Sequence, residues 1–368
     1  MIVIKNVKTL EGSQIDYKIE SEKTVEIDAH GEYLLLPSVI DSHVSLGEVG
    51  SSSWNINVQS ALCGGVTTLF DFPDASNPCS TVSGIEQKRH DVDKNLDHLQ
   101  LPLNYFLYAK AEEKHFDQIG LAKSYMMGAA IMGDFSTHVI QDEHWDKIFS
   151  IAAWEDIPIV FNAMNENIQP LKHRFEEGES LLEKAIFYAK KQNARLYFLN
   201  LSKQSEMNLI NEAKKQSILI YTETTPEHLF SNDPDKEFLW DCINNKMIDL
   251  IGSGFHATLQ TNVRIHYNGT NCSINHPLLL LPQLLTAYRQ GKISIERIVA
   301  LTRTNLKDLF PIALDRNAVI VDLERVHLAK RILGHQEEEI KLIGWPVYVV
   351  LNGRLLTPSE SGYTFSGV

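Results

Sequence analysis

The fold is decided by a stretch near the amino terminus, Leu34-Leu35-Leu36-Pro37-Ser38-Val39-Ile40-Asp41-Ser42-His43-Val44-Ser45-Leu46. An apolar run that ends in Asp, His and Ser is typical of a buried strand that carries polar groups at its C-terminal end. Side chains two apart on a strand point the same way, so Asp41, His43 and Ser45 are expected to share one face. A His-x-His pair in this position would place two imidazoles on one metal ion, but Ser45 stands where the second histidine would be.

Composition indicates a globular protein of ordinary make-up. The chain has 368 residues, of which 43% are hydrophobic and 22% charged, as in typical globular domains. Its formal net charge of −13 argues against nucleic acid or an anionic membrane as a partner, because both attract basic surfaces. The four cysteines form no Cys-x-x-Cys spacing, so we expect buried free thiols in a reducing compartment.

The amino terminus predicts no targeting or membrane segment. Residues 1–7 alternate like a strand and lack the basic region and apolar core of a signal peptide. The chain has no run of about 18 apolar residues, which a transmembrane helix would need. We therefore predict a cytoplasmic protein.

A repeated rhythm of strand, turn and helix follows the first segment and predicts the fold class. Eight strands are predicted, and segments with helical spacing lie between them. The predicted strands are Leu35–Ser45, Val66–Phe72, Leu103–Tyr108, Ala129–Phe135, Pro158–Ala163, Arg195–Leu201, Ile218–Thr225 and Asp249–His256. Eight such units are what a closed (β/α)₈ TIM barrel of the α/β class requires. A doubly wound open sheet is the competing fold, but no Gly-x-Gly-x-x-Gly turn follows the first strand.

Two terminal segments are predicted to form a small composite β-domain. Residues 1–34 and 318–368 read as short alternating strands, and Asn352-Gly353 is a hairpin turn signal. Residues 35–317 are then the barrel with two C-terminal helices, Pro277–Arg289 and Ser294–Phe310.

Several motifs, in a fixed order, resemble the amidohydrolase superfamily, in particular its dihydroorotase and dihydropyrimidinase branch. They span nearly the whole chain and occupy residues 36–43, 64–73, 223–229, 248–253, 291–294 and 344–347. Each motif is short, and the match rests on their order and spacing together. The resemblance implies a metal-dependent hydrolase of cyclic amides with its site at the C-terminal ends of the barrel strands.

Position by position, the catalytic set that the resemblance implies is largely absent from this sequence. His43 remains as one metal-binding histidine, while Ser45 replaces the other and Gly47 replaces a substrate-binding arginine. The substrate-binding asparagine matches Asp74, and the bridging carbamylated lysine falls near Met132, where no lysine stands. The remaining matches of the resemblance are Asn162 and Asn200 for two histidines, and Gly254 or Phe255 for the catalytic aspartate.

The resemblance implies zinc, but the retained residues predict no metal cofactor. Zinc needs three or four convergent ligands, and serine and asparagine bind divalent transition metals far more weakly than imidazole or carboxylate. We therefore expect His43 to be a hydrogen-bonded histidine at the barrel mouth. Asn162 and Asn200 could form a neutral pocket with His43 and Ser45, or could satisfy each other.

Other polar residues receive plainer interpretations. Asp71, which precedes Pro73, is expected to fix a turn. His256 could act as a base or a ligand, although a loop histidine without a visible partner is usually neither. Glu166 is the one carboxylate near the predicted mouth that remains an acid/base candidate.

Three functions remain open at this point. The first is a non-catalytic dihydroorotase homologue that forms a homodimer or a complex with another enzyme; the resemblance supplies the precedent of inactive relatives that assemble with aspartate carbamoyltransferase, in pyrimidine metabolism. The second is an active cyclic-amide hydrolase rebuilt around His43, Glu166 and His256. The third is a small-molecule binding protein that uses the pocket residues His43, Ser45, Asp74, Asn162, Asn200 and Gly254. Fold alone does not decide among them.

Overall fold

The computed structural model describes most of the chain. The described residues are 1–21, 24–73, 79–132, 142–162, 171–230, 235–257, 263–267, 270–313, 317–333, 335–358 and 365–367.

In chain order the strands are β1 (Ile2–Lys8), β2 (Gln14–Ile19), β3 (Val25–Asp28), β4 (Leu34–Pro37), β5 (Val39–Ser45), β6 (Val66–Asp71), β7 (Asn104–Lys110), β8 (Gly128–Met132), β9 (Ile159–Asn162), β10 (Leu196–Leu199), β11 (Ile220–Thr224), β12 (Leu250–Ile251), β13 (Phe255–His256), β14 (Val263–Tyr267), β15 (Thr270–Ser273), β16 (Ala318–Leu333), β17 (Gln336–Leu351), β18 (Arg354–Pro358) and β19 (Phe365–Gly367).

The helices alternate with the central strands. They are α1 (Ser52–Cys63), α2 (Val82–His98), α3 (Phe116–Leu121), α4 (Asp142–Trp154), α5 (Leu171–Gln192), α6 (Gln204–Lys215), α7 (Pro226–Phe230), α8 (Lys236–Asn244), α9 (Pro277–Arg289), α10 (Ile295–Val299) and α11 (Leu306–Leu309). Ser51, Thr81 and Ser294 cap α1, α2 and α10 by accepting a hydrogen bond from a first-turn N–H, as N-cap side chains do.

One sheet is the predicted barrel. Strands β5 to β12 are parallel to their neighbours in chain order, and β13 returns to pair with β5, Phe255 opposite Val44 and His256 opposite Ser45. This return closes the sheet and confirms the (β/α)₈ prediction. All seven residues of β5 are buried, as expected for a strand covered on both faces.

The helices pack their apolar stripes on the outside of the barrel. In α4 the residues Trp145, Ile148, Phe149 and Ala152 are at most 2% exposed, and they follow the helical spacing of the sequence. The Gly64-Gly65 pair allows α1 to end against the start of α9, because a Cβ on Gly64 would lie 2.6 Å from the carbonyl oxygen of Leu278. These contacts fix where the chain enters β6.

The amino-terminal end of the barrel is filled by an aromatic side chain. Phe310 follows α11 and is 1% exposed; its ring lies 4.9 Å from that of Phe70, 5.9 Å from Tyr108 and 6.0 Å from Tyr197, between centroids. The guanidinium of Arg195, just before β10, donates to the carbonyl oxygen of Leu309 at 2.6 Å. The barrel interior is therefore a packed core at this end.

The second sheet joins the two terminal segments, in the order β19-β18-β17-β16-β4-β1-β2. Strand β4 pairs antiparallel with β16, Leu35 opposite Ile320. The hairpin β14–β15 also joins this sheet by pairing with β16, which the sequence did not predict. The small sheet thus takes residues from three separate segments.

Four predicted elements need correction. Leu35–Ser45 is two strands in different sheets, separated at Ser38, and Asp249–His256 is two short strands separated by residues 252–254. Ser294–Phe310 is broken by a π-turn at Ala300–Thr304, and the tail contains two 16-residue strands instead of short ones. In the first three elements the sequence pattern concealed a change of sheet or a break in hydrogen bonding, and in the tail it concealed how far the paired strands continue.

Candidate active site at the carboxyl ends of the strands

The centre of the candidate site is a hydrogen-bonded pair formed by β5 and β11. Nδ1 of His43 lies 2.9 Å from Oε1 of Glu223, and the side chains are 7% and 0% exposed. Because a carboxylate oxygen accepts, His43 donates from Nδ1, which fixes its tautomer and orientation. Metal-binding histidines usually donate one ring N–H to a carboxylate or a carbonyl in this way, which orients the ring.

The second oxygen of Glu223 accepts from two hydroxyl groups. Ser42 Oγ donates to Glu223 Oε2 at 2.8 Å, and the hydroxyl of Tyr197 donates to the same oxygen and lies 3.0 Å from Ser42 Oγ. Tyr108 adds a hydrogen bond of 2.9 Å to the carbonyl oxygen of Ser42. Burial, and then the charge of Glu223, raise the pKa of Tyr197 and of Tyr108 well above the usual value, so both phenols remain neutral donors.

Asp41 is a second buried carboxyl group beside this pair. Its Oδ1 accepts from the backbone N–H of Ser253 at 2.8 Å and of His43 at 3.3 Å. Burial raises its pKa to about 6 against these hydrogen bonds, and the charge of Glu223 acts in the same direction. Desolvation of the charged form is the dominant cause. Asp41 thus joins β5 to the end of β12 and titrates close to neutral pH.

The rim above the pair carries neutral side chains. Asn200 Nδ2 donates to Asn162 Oδ1 at 3.4 Å, so β9 and β10 bring the two asparagines together. Gly254 donates its N–H to the carbonyl oxygen of His43 at 2.9 Å, and a Cβ on Gly254 would lie 3.2 Å from Asn200 Oδ1. Ser45 is buried, and its Oγ has no hydrogen-bond partner among the described residues.

Of the remaining residues that the sequence proposed for the site, one lies at the rim and the others fall outside the described residues. His256 is half-buried and pairs through its backbone with Ser45, so it lies at the same rim. Asp74 and Glu166, and the segment that follows Met132, lie outside the described residues. The structure therefore brings together five of the six predicted pocket residues, namely His43, Ser45, Asn162, Asn200 and Gly254.

The residues at the rim do not fit the zinc that the resemblance implies. Beside His43 lie a hydroxyl and two amides, which are poor ligands for zinc, and His256 adds a second imidazole at this rim. In the described parts of the chain, no group of three or more His, Cys, Asp and Glu side chains could hold a metal ion. Glu223 supports His43, and Ser45, Asn162 and Asn200 beside it are neutral side chains.

Sequence reasoning misses the roles of two buried groups. Glu223 is expected at the end of a strand but is given no role, although a buried acidic residue at the end of an apolar strand is itself a signal. Asp71 does more than fix a turn: its Oδ2 lies 2.5 Å from Nζ of Lys88, with both side chains at most 3% exposed, and its Oδ1 accepts from the N–H of Leu46 at 3.2 Å. The ion pair ties the end of β6 to α2, and the hydrogen bond from Leu46 ties the same aspartate to the end of β5.

Comparison with solved structures identifies the class of fold. An L-hydantoinase (dihydropyrimidinase) from Arthrobacter aurescens superposes with a TM-score of 0.77 at 19% identity, over 97% of this chain and 96% of that one. A D-hydantoinase from a Thermus species gives a TM-score of 0.78 at 17% identity, over 100% and 97%. The chain thus has the barrel and small β-domain of the hydantoinases.

Comparison with curated sequences identifies its relatives. An L-hydantoinase of Paenarthrobacter aurescens is 23% identical over 351 residues, which cover 81% of this chain and 74% of the relative. A dihydroorotase of Methanosphaera stadtmanae is 24% identical over 362 residues, covering 84% and 82%. The multifunctional protein CAD of Squalus acanthias is 24% identical over 324 residues, covering 79% of this chain and 13% of that protein.

No family model matches the chain. Its homologues are hydantoinases, dihydroorotases and allantoinases, which confirms the amidohydrolase resemblance. No helix in the described parts of the chain is both long and apolar enough to span a membrane.

Proposed function

We propose that this chain is a dihydroorotase-like homologue that does not perform metal-dependent hydrolysis of a cyclic amide. The observation that carries the proposal is the chemistry of the rim, where Ser45, Asn162, Asn200 and Gly254 stand at positions that the resemblance assigns to metal ligands. Without a bound metal, hydroxide is not generated near neutral pH and the amide carbonyl has no Lewis acid. His43 alone does not replace these functions.

The role proposed for the folded chain is that of an assembly or regulatory partner of another enzyme in the cytoplasm. Homology to the multifunctional protein CAD supports a setting in which related barrels work beside other enzyme activities. We propose pyrimidine metabolism as this setting and aspartate carbamoyltransferase as the partner. The net charge of −13 fits a protein partner better than nucleic acid or an anionic membrane.

The test is hydrolysis of dihydroorotate, hydantoin and allantoin by the purified full chain, with and without added zinc. An active dihydroorotase serves as the positive control. We expect no turnover above that of buffer, with or without metal. Turnover that is lost in the His43→Ala variant contradicts the proposal. If turnover is also lost in Glu166→Gln, the rebuilt site around His43, Glu166 and His256 becomes the correct description.

The partner is tested separately. Tagged full-length chain is mixed with aspartate carbamoyltransferase from the same organism and analysed by size-exclusion chromatography with light scattering. We expect a co-eluting complex of higher mass than either protein. Separate elution at micromolar concentrations contradicts the proposed assembly.

A further inference from the structure

A lysine faces the interior of the barrel at the carboxyl end of β7. Tyr108 belongs to the apolar cluster inside the barrel and Phe106 packs against that cluster. Side chains two apart on a strand share a face, so Lys110 points the same way. The register agrees, because Lys110 lies opposite Ala130 of β8, which is another member of the interior cluster. Lys110 therefore lies at the barrel mouth, where TIM barrels have their sites.

The ammonium group of Lys110 is only partly used by the protein. Its Nζ lies 3.3 Å from Oε1 of Glu112, and the two side chains are 32% and 29% exposed. Among the described residues, Glu112 is the one carboxylate within ion-pair distance of Lys110. An ion pair of this exposure is weak, and an ammonium group has three N–H donors. Lys110 therefore keeps donors for a ligand in the mouth.

Glu112 does not depend on Lys110 for its position. Its Oε2 accepts from Ser80 Oγ at 2.8 Å and lies 3.4 Å from Nδ1 of His115. The same Nδ1 lies 3.0 Å from Ser80 Oγ. Burial alone would raise the pKa of Glu112, but hydrogen bonds from Ser80 and Lys110 lower it below its usual value. Glu112 is thus an ionised group held by two connections of the barrel, and Lys110 can pair with a second anion without releasing it.

The rest of the described rim adds neutral donors. Ser45, Asn162 and Asn200 carry hydroxyl and amide groups, which donate hydrogen bonds to anionic or neutral acceptors. Below them, Glu223 is buried and paired with His43, so its charge is already balanced inside the barrel. A ligand that carries one anionic group and further acceptor atoms is therefore complementary to this mouth.

We propose that Lys110 is the anion-binding group of a ligand site in the mouth, and that the ligand is a small organic carboxylate. The carboxylate accepts from Nζ of Lys110, which gives a charge-assisted hydrogen bond, and the neutral rim binds the remaining polar atoms. One ammonium group balances one negative charge, so a carboxylate suits the site better than a phosphate group, which is close to doubly charged at neutral pH. The proposal concerns binding and does not depend on whether the barrel hydrolyses a substrate.

The test compares orotate with orotamide, two probes that share one ring and differ in a carboxylate against a neutral carboxamide. Binding of each to the purified full chain is measured by isothermal titration calorimetry, and chromatography of the recovered probe shows whether any was consumed. We expect orotate to bind at least about tenfold more tightly than orotamide, as for hydrogen bonds to a charged group. This preference should disappear in Lys110→Met and persist in part in Lys110→Arg, which keeps the charge.

Two further variants separate the site from general effects of charge. Lys114→Met is the matched control, because Lys114 is exposed in the same connection after β7, and its preference for orotate should equal that of the wild type. Glu112→Gln removes the negative charge beside Lys110, so it should tighten the binding of orotate and leave that of orotamide unchanged.

The proposal is overturned by a wild type that binds orotate no more tightly than orotamide. It is also overturned by Lys110→Met that keeps the preference, or by Lys114→Met that loses it to the same extent as Lys110→Met. If Lys110→Met does not fold, Glu112→Gln decides the result, and orotate binding that is unchanged or weaker in this variant overturns the proposal.

Discussion

Glu223 holds His43 from behind with a hydrogen bond of 2.9 Å between Oε1 and Nδ1, while its other oxygen accepts from Ser42 and Tyr197. The carboxylate is fully buried and its acceptor sites are used by the protein itself. The retained imidazole is therefore part of a closed network of hydrogen bonds that stabilises the barrel interior. Such a network is strong when complete and costly when one member is removed.

The first prediction tests this network. Glu223→Gln replaces the shared acceptor with an amide of similar size, so His43, Ser42 and Tyr197 lose their charged partner. We expect a loss of about 1.5–3 kcal/mol in the free energy of unfolding, as for hydrogen bonds to a charged group, measured by urea denaturation. Tyr197→Phe removes only one donor and should cost about 1 kcal/mol. If Glu223→Gln unfolds at the same urea concentration as the wild type, the network does not stabilise the fold.

The second prediction concerns metal content. Protein purified without added metal or chelator is expected to contain no stoichiometric zinc, because Ser45, Asn162 and Asn200 are neutral at the rim. The measurement is elemental analysis by mass spectrometry, together with the melting temperature with and without added zinc. About one or two zinc ions per chain that are lost in His43→Ala would contradict it.

The third prediction concerns the pH dependence caused by Asp41. Its pKa in the folded chain is about 6, against 3.8 for an unperturbed group, so the folded state keeps its proton to higher pH than the unfolded state. The resulting stability is present below pH 3.8 and is lost as the pH rises through 6. Across this interval, the stability of the wild type relative to Asp41→Asn should fall by about 3 kcal/mol.

The measurement is the free energy of unfolding of both proteins in urea at several pH values between about 4 and 7. The amide oxygen that Asp41→Asn introduces can still accept from the N–H of Ser253, so the geometry is kept. A pH-independent difference for Asp41→Asn would show that this carboxyl group does not titrate in the range.

The fourth prediction concerns restoring the aspartate that the resemblance implies. Gly254 has φ +66°, and a Cβ there would lie 2.7 Å from Cγ2 of Thr225. Gly291 has φ +73° with no atom within 4 Å of such a Cβ, so Gly291→Asp carries the backbone strain alone. We expect Gly254→Asp to be less stable than Gly291→Asp by about 1–3 kcal/mol.

Thr225→Ser, which removes the contacting methyl group, should recover part of that loss when combined with Gly254→Asp. The measurement is the urea unfolding midpoint of the two glycine variants and of the double variant. Equal stability of Gly254→Asp and Gly291→Asp would mean that the loop rearranges freely and that the aspartate position is still accessible.

The fifth prediction concerns the aromatic residue that fills the amino-terminal end of the barrel. Phe310→Ala should cost about 3–5 kcal/mol, because it opens a cavity among Phe70, Tyr108 and Tyr197. Phe187→Ala removes the same ring from a site that is 59% exposed and should cost much less. A similar loss for both variants in chemical denaturation would contradict the packing described here.

Much of the barrel can be predicted from the sequence, because the spacing of apolar residues that marks each strand or helix involves only neighbouring residues. Apolar strands and helical stripes, such as Trp145 to Ala152 on α4, are set by neighbouring residues, and the structure has them where the pattern predicts. The change of sheet at Ser38 cannot be predicted in this way, since Leu34–Leu36 and Val39–Ile40 are equally apolar and only the distant β16 separates them. Element boundaries are decided by such long-range partners.

In the candidate site, too, some features can be predicted from local sequence and others depend on distant residues. Strand ends predict that Asn162 and Asn200 meet, because carboxyl ends of parallel strands share one rim. The roles of Glu223 and of Lys88 depend on which side chains lie across the barrel wall, and no local pattern encodes that. The closure of β5 against Phe255–His256 is likewise hidden by the glycine-containing break before it.

The pairing of β4 with β16 has a consequence for the order in which the chain folds. Each β-α unit of the barrel can form from residues close in sequence, whereas Leu34–Pro37 has its antiparallel partner in Ala318–Val321, far along the chain. Distant pairings form late because the intervening chain must first be ordered. On the ribosome, the edge of β4 that pairs with β16 therefore stays open until translation has passed β16, and an open strand edge can pair with other chains.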